Sequence, residues 1–207
     1  MHLKKYLFLI IFLLFSTVTY AKQSKYAVVY FTWAENVERI SDDFDVDAIT
    51  SASVILPGNV GLMADIITQQ IGADKFSIVT KNKYSGIFDE CLEQVSTEKA
   101  HNTRPEINKI PSIKNYDVIF IGCPNWGGSL PMPMISYIEN NKKDFEGKTI
   151  VPFFSHGTSG MPRLNQELKQ SLPPDCTILE SLGIYRDDIP QAKFIIEDFL
   201  NNIKLSQ

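Results

Sequence analysis

Long apolar runs are nearly absent from this 207-residue chain. The uninterrupted stretch from Tyr6 to Phe15 is well short of the roughly 20 apolar residues that cross a bilayer, so a polytopic membrane protein is excluded. Cysteine is scarce too. Cys91, Cys123 and Cys176 share no short spacing with one another or with a histidine, which rules out a zinc knuckle and a redox C-x-x-C pair. Buried thiols are expected; a single disulfide stays open, because the spacing chooses no pair. Positive charge is in deficit, with 20 basic against 24 acidic residues, so the basic face that a nucleic acid needs is lacking.

Several motifs fail on one residue each. No G-x-G-x-x-G is present, so there is no Rossmann dinucleotide fingerprint. Gly147-Lys148-Thr149 ends like a phosphate-binding P-loop, but Lys142 stands where the first glycine is required and the segment runs into a strand. Gly157 to Met161 lacks the spacing of a G-x-S-x-G nucleophile elbow. Asp43-Phe44-Asp45-Val46-Asp47 begins like a calcium loop, but Ala48 replaces its turn glycine and Val54 stands in place of its bidentate glutamate. No metal site and no catalytic nucleophile are therefore expected.

What is present begins with a leader. Lys4 and Lys5 precede the apolar run, and Ser16 to Ala21 then lead into polar Lys22-Gln23-Ser24, the layout of a signal peptide cleaved after Ala21. The protein is expected to be exported, to the periplasm or another extracytoplasmic space, with membrane contact only if the leader stays uncleaved. Residues 22–207 then form one domain with 18 basic and 24 acidic residues, a net charge of −6.

Apolar, β-branched runs at Tyr26–Phe31, Phe76–Thr80, Val118–Gly122, Thr149–Phe154 and, more weakly, Thr177–Leu182 predict five strands. Helical periodicity fills the gaps: Leu62, Ile66, Ile67 and Ile71; Ile87, Cys91, Leu92 and Val95; Ile135 and Ile138; Leu164 and Leu168; and finally Phe194, Ile195, Phe199 and Ile203. Near-continuous apolar strands alternating with amphipathic helices imply a doubly wound α/β fold, a parallel sheet with helices on both faces. Ligands of such sheets sit beyond the carboxyl ends of the strands, which directs attention to three loops.

The first loop, 32–58, is much longer than the usual 2 to 6 residues. Thr32-Trp33-Ala34 opens it and Gly58-Asn59-Val60 closes it at the start of a helix, where free N–H groups and the helix dipole favour an anion such as phosphate. The second, Pro124-Asn125-Trp126-Gly127-Gly128, offers a flat indole face among glycines that permit close backbone approach. The third, Ser155-His156-Gly157-Thr158-Ser159-Gly160, is rich in small residues and donors able to wrap the edge of a ring. Each has a plainer alternative: a helix cap, a buried tryptophan, a surface histidine.

Together, Tyr30-Phe31-Thr32-Trp33, Gly58-Asn59-Val60, Arg104-Pro105, Tyr116 to Gly127, Gly147 to Ile150 and Ser155 to Gly160 resemble the flavodoxin-4 type of flavodoxin, over Lys25 to Ile203. The resemblance implies a flavodoxin-like five-stranded sheet of order 2-1-3-4-5 and FMN as cofactor. The first loop would hold the phosphate and the other two would flank the ring system. Ala34 and Val60 replace two hydroxyl residues of the family's phosphate loop. At about 1 kcal/mol per hydrogen bond the loss would weaken FMN about tenfold to a hundredfold unless backbone amides compensate. The expected role is electron transfer to a redox protein or a small-molecule acceptor, with the acidic surface lowering the flavin potential and steering a basic partner. The alternatives are an NAD(P)H-dependent FMN or quinone reductase and a binding protein that has lost its flavin.

Overall fold

The computed structural model describes residues 24–38, 50–203 and 205; the leader and the acidic stretch Asp43–Asp47 lie outside them. The strands β1 (Tyr26–Tyr30), β2 (Asp74–Ser77), β3 (Val118–Pro124), β4 (Thr149–His156), β5 (Thr177–Ile178) and β6 (Leu182–Tyr185) form one sheet in the order β2-β1-β3-β4-β5, and β6 also pairs with β4. All pairings are parallel. The helices are α1 (Asn59–Ile71), α2 (Phe88–Ala100), α3 (Met132–Asn140), α4 (Pro162–Ser171) and α5 (Ala192–Asn202).

Alternate strand residues feed two cores, as the period of two in a strand requires. Ala27, Val29, Ile119, Ile121 and Ile150 pack under α2, α3 and α4 with Val95, Tyr137 and Leu164. Val28, Tyr30, Phe120, Val151 and Phe153 pack under α1 and α5 with Met63, Ile67 and Ile196. The expected order and two-sided cover are thus present.

Several details differ from the sequence reading, among them β2, which runs Asp74–Ser77 and not Phe76–Thr80. The fifth strand is split: Thr177–Ile178 pairs with Thr149–Ile150, and Leu182–Tyr185 pairs with Phe153–His156. Three residues, Leu179 to Ser181, lie opposite Val151 and Pro152, and Pro152 has no N–H to offer at that level, so the ladder is interrupted by a bulge. Strands β3 and β4 each run two residues further than expected, so Pro124, Ser155 and His156 are strand ends rather than loop. On α5 the inward residues include Ala192 and Ile196, while Phe194 is 72% exposed. The stripe runs 192, 195, 196, 199, and Phe194 falls outside it. All three cysteines are free thiols. No helix among the described residues is long and apolar enough to cross a membrane, and none of their histidine, cysteine and carboxylate groups cluster as for a metal ion.

Burial sets the alkaline limit of stability. It pushes the Tyr30, Tyr84 and Tyr137 phenols and the Cys123 thiol well up, and the Cys91 thiol to about 12. The unfolded chain releases these protons from about pH 8.5 to 10 upward, while the folded chain keeps them. Protons bound in the native state then exceed those bound in the unfolded state, and stability falls as pH rises. Lys83 and Lys99, lowered chiefly by burial, act in the opposite sense but are fewer. The urea midpoint is expected to drop steadily above pH 9; a flat midpoint to pH 10.5 would contradict the burial of these groups.

Candidate functional site

In a sheet of order 2-1-3, the chain leaves β1 and β3 toward opposite faces, and the crevice between their carboxyl ends is where a ligand fits. The structure builds a cleft of about 220 Å³ there. Trp33 enters from the first loop, Asn125, Trp126, Gly127 and Gly128 from the second, and Gly157, Thr158 and Ser159 from the third. The three expected loops therefore converge.

The start of the first loop is held by Asn36. Its Nδ2 donates to the carbonyls of Thr32 at 2.8 Å and Ile78 at 3.0 Å, and its Oδ1 accepts from the Thr80 N–H at 2.8 Å. Trp33 Nε1 donates to the Ser85 carbonyl at 3.0 Å. The far end of the same loop returns beside the start: a Cβ on Gly58 would collide with Thr32 Oγ1 and lie 3.1 Å from the Ala34 methyl. Gly58 has φ of +79°, so both its conformation and its surroundings demand glycine. Thr32, Ala34, Gly58 and Val60 are buried and lie behind the cleft, not on its wall. Asn59 opens α1 with no side-chain cap on the helix, and its Nδ2 donates to the Ser51 carbonyl at 3.3 Å.

Ser51 links all three loops. Its carbonyl accepts from Asn59 Nδ2 and from the Ser155 hydroxyl, and its own hydroxyl donates to the Asn125 carbonyl at 2.9 Å. Asn125 extends the link, with its Nδ2 donating to the Gly160 carbonyl at 2.8 Å and its Oδ1 accepting from the Gly128 N–H at 2.9 Å. These bonds tie the three loops to one another.

The sequence reading makes Trp126 a flat face offered to a ring, with a buried tryptophan as the plainer alternative. The indole is 5% exposed, set edge-to-face against Phe31, Trp33 and Tyr84 at centroid distances of 5.4, 6.0 and 5.5 Å. The ring quadrupoles favour this arrangement, and it makes Trp126 a floor of the cleft. Its Nε1 has no hydrogen-bond partner among the described residues. His156 packs against Tyr185, ring to ring at 5.9 Å, and is absent from the cleft wall.

Other wall residues were not anticipated as site residues. Phe88, Cys91, Leu92 and Val95 of α2 form an apolar side; the helical period identifies Cys91, Leu92 and Val95, but only as core, and misses Phe88. Thr50, Ser51 and Ala52 come from within the long loop. Arg186, brought up by β6, stands beside Gly157: a Cβ there would lie 3.4 Å from its Nη1. Extending the weak fifth strand through Ile184 would have carried Arg186 to the same edge as the loops. Among the lining residues it is the sole charge, and no carboxylate is present, so the cleft favours an uncharged or anionic guest.

A family model described as flavodoxin matches residues 50–182. Among solved structures, the chain is similar to a protein from Bacteroides eggerthii assigned as a flavoprotein, with TM-score 0.58, 22% identity, 84% of this chain covered and 98% of that one. A second such protein, from Bacteroides uniformis, gives TM-score 0.60, 21% identity and coverage of 85% and 99%. A flavoprotein in complex with FMN from Lactobacillus acidophilus gives TM-score 0.54, 15% identity and coverage of 81% and 97%. These likenesses concern the fold. No curated protein matches the chain.

Proposed function

Because the chain belongs to the flavodoxin family, we propose that it holds FMN noncovalently in this cleft and serves as an electron-transfer flavoprotein. The observation that carries the reading is the convergence of the loops after β1, β3 and β4 on one donor-rich, carboxylate-free cleft at the switch point of the sheet. The Lactobacillus acidophilus relative in fold is an FMN complex, which supports the choice of flavin.

The residues fit such a guest. Gly58 keeps a side chain out of the turn beside Thr32 and Ala34, and the first N–H groups of α1 follow it, suited to a phosphate. The buried Trp126 Nε1 lacks a partner among the described residues, and Thr158 and Ser159 are exposed hydroxyl residues on the wall. With Ala34 and Val60 lacking hydroxyls, backbone amides and Asn59 carry the phosphate end. The cleft is smaller than the roughly 300 to 1,000 Å³ of pockets that enclose a whole ligand, so it would enclose only part of an FMN. FMN, when bound, supplies the electron-accepting and electron-donating ring. Trp33, Phe88 and Val95 on the wall would exclude water from such a ring, and the linked loops would orient it.

Export through the leader and electron exchange with a basic redox protein or a small acceptor complete the proposal. The net charge of −6 for residues 22–207 motivates the choice of partner. The test is to add FMN to the purified protein and follow visible absorption and flavin fluorescence. Quenching with a micromolar or tighter dissociation constant is expected; no quenching at micromolar protein overturns the reading. If the holo-protein turns over NADPH with a quinone, a reductase replaces the carrier.

A further inference from the structure

We propose that Lys99 is a positioning residue for the cleft: from the last turn of α2 it holds the Trp126 and Gly127 carbonyls and so turns the Gly127 N–H away from the helix, as a donor to the ring edge of the guest. The Lys99 ammonium donates to the Trp126 carbonyl and, at 2.9 Å, to the Gly127 carbonyl. The C=O and N–H of a trans peptide point in opposite directions. Drawing both carbonyls toward α2 therefore sends the Gly127 and Gly128 N–H groups the other way. The Gly128 N–H bears this out by meeting Asn125 Oδ1 at 2.9 Å, and Asn125 is on the cleft wall. The Gly127 N–H has no acceptor among the described residues.

Gly127 suits this arrangement and no larger residue would. Its φ is +58°, and a Cβ would lie 3.0 Å from Lys99 Nζ and 3.3 Å from Val95 Cγ1. The charges around Lys99 are committed elsewhere. Glu98 of α2 accepts from the Tyr84 hydroxyl at 2.9 Å, and Glu167 of α4 accepts from the Leu130 N–H at 2.8 Å and pairs with Arg163 at 2.7 Å. No carboxylate among the described residues is within salt-bridge reach of Lys99, so its hydrogen bonds go to the two loop carbonyls. Burial, opposed by Glu167, brings Lys99 down to about 8. A cation kept at that cost against two carbonyls of one loop fixes the loop's orientation.

The inference rests on the flavin reading for its guest, a planar ring with a nitrogen or carbonyl acceptor at its edge, and one arm of the test is independent of that guest. In the purified protein without flavin, Lys99→Met is expected to lower the exchange protection of the Gly128 amide at least tenfold and to shift the Gly127 and Gly128 resonances. It also raises the FMN dissociation constant at least tenfold, while Lys99→Arg keeps both within about threefold. Unchanged protection and resonances in Lys99→Met, or altered ones with unchanged FMN affinity, overturn the proposal. Lys99→Gln takes the place of Lys99→Met should the latter fail to fold. A wild-type chain that binds no FMN overturns the flavin reading instead, and the exchange arm then decides whether Lys99 holds the loop.

Discussion

Gly122→Ala is expected to cost about 3 kcal/mol, at the upper end of what overpacking a core does. Gly122 sits in the middle of β3, in register with Phe153 on β4. Its backbone is ordinary strand, so the demand for glycine comes from packing alone. A Cβ at this position would clash with the outer end of the Phe153 ring, whose Cζ, Cε1 and Cε2 are its nearest neighbours. Phe153 is fully buried among Tyr30, Phe120 and Ile184 on the α1 and α5 side of the sheet. It has no free direction in which to move, because interiors are close-packed. The two strands must then separate or the ring must leave its rotamer.

The site feels either change, because the Asn125 N–H donates to the Ser155 carbonyl at 2.8 Å just beyond that pair. Urea denaturation of Gly122→Ala, Phe153→Leu and the double variant separates the cause. Leucine removes the ring atoms the new methyl would meet, so the double variant is expected to be more stable than Gly122→Ala alone. Strictly additive losses would show that the ring is not what the methyl strikes.

The strands, the helices and the convergence of the loops were legible in the sequence because each rests on short-range pattern: apolar strands, helical stripes, and glycine or small residues where strands end; the sheet order came from the family resemblance. The wall of the cleft was less so. Leu92 and Val95 carry the same helical period whether they face a core or a ligand, and nothing local tells the two apart. Ser51 sits 74 residues from Asn125, to which it donates, and no spacing rule reaches that far. Trp126 reads as a platform because glycines flank it. Its burial follows from three aromatic rings that arrive from the residue after β1, the first loop and the segment before α2. Arg186 escaped because the strand that delivers it is interrupted at the level of Pro152.

Asn36 falls in the same class, since a lone asparagine in a loop reads as a turn residue, yet its replacement is expected to cost somewhat more than the change at Gly122. Asn36 is 0% exposed. Its side chain serves the Thr32 and Ile78 carbonyls as donor and the Thr80 N–H and hydroxyl as acceptor, the last at 3.0 Å. Asn36→Leu leaves those groups buried without partners, at about 1 to 3 kcal/mol each, for a total of about 4 kcal/mol after some relaxation.

Asn36→Asp is the sharper test, because it keeps the shape and the acceptor but sets a carboxylate against two carbonyl oxygens. Burial and those oxygens raise its pKa above the ordinary value of about 3.9. The unfolded chain loses that proton first as pH rises, so the folded state is penalised progressively from about pH 4 upward. The urea midpoint of Asn36→Asp is therefore expected to lie closer to wild type at pH 5 than at pH 8. Equal gaps at the two pH values would mean that the amide does not face those carbonyls. The Trp33 wall of the cleft would then hang on the bond from its indole to Ser85 instead of on the Asn36 network that joins β1 to the end of β2.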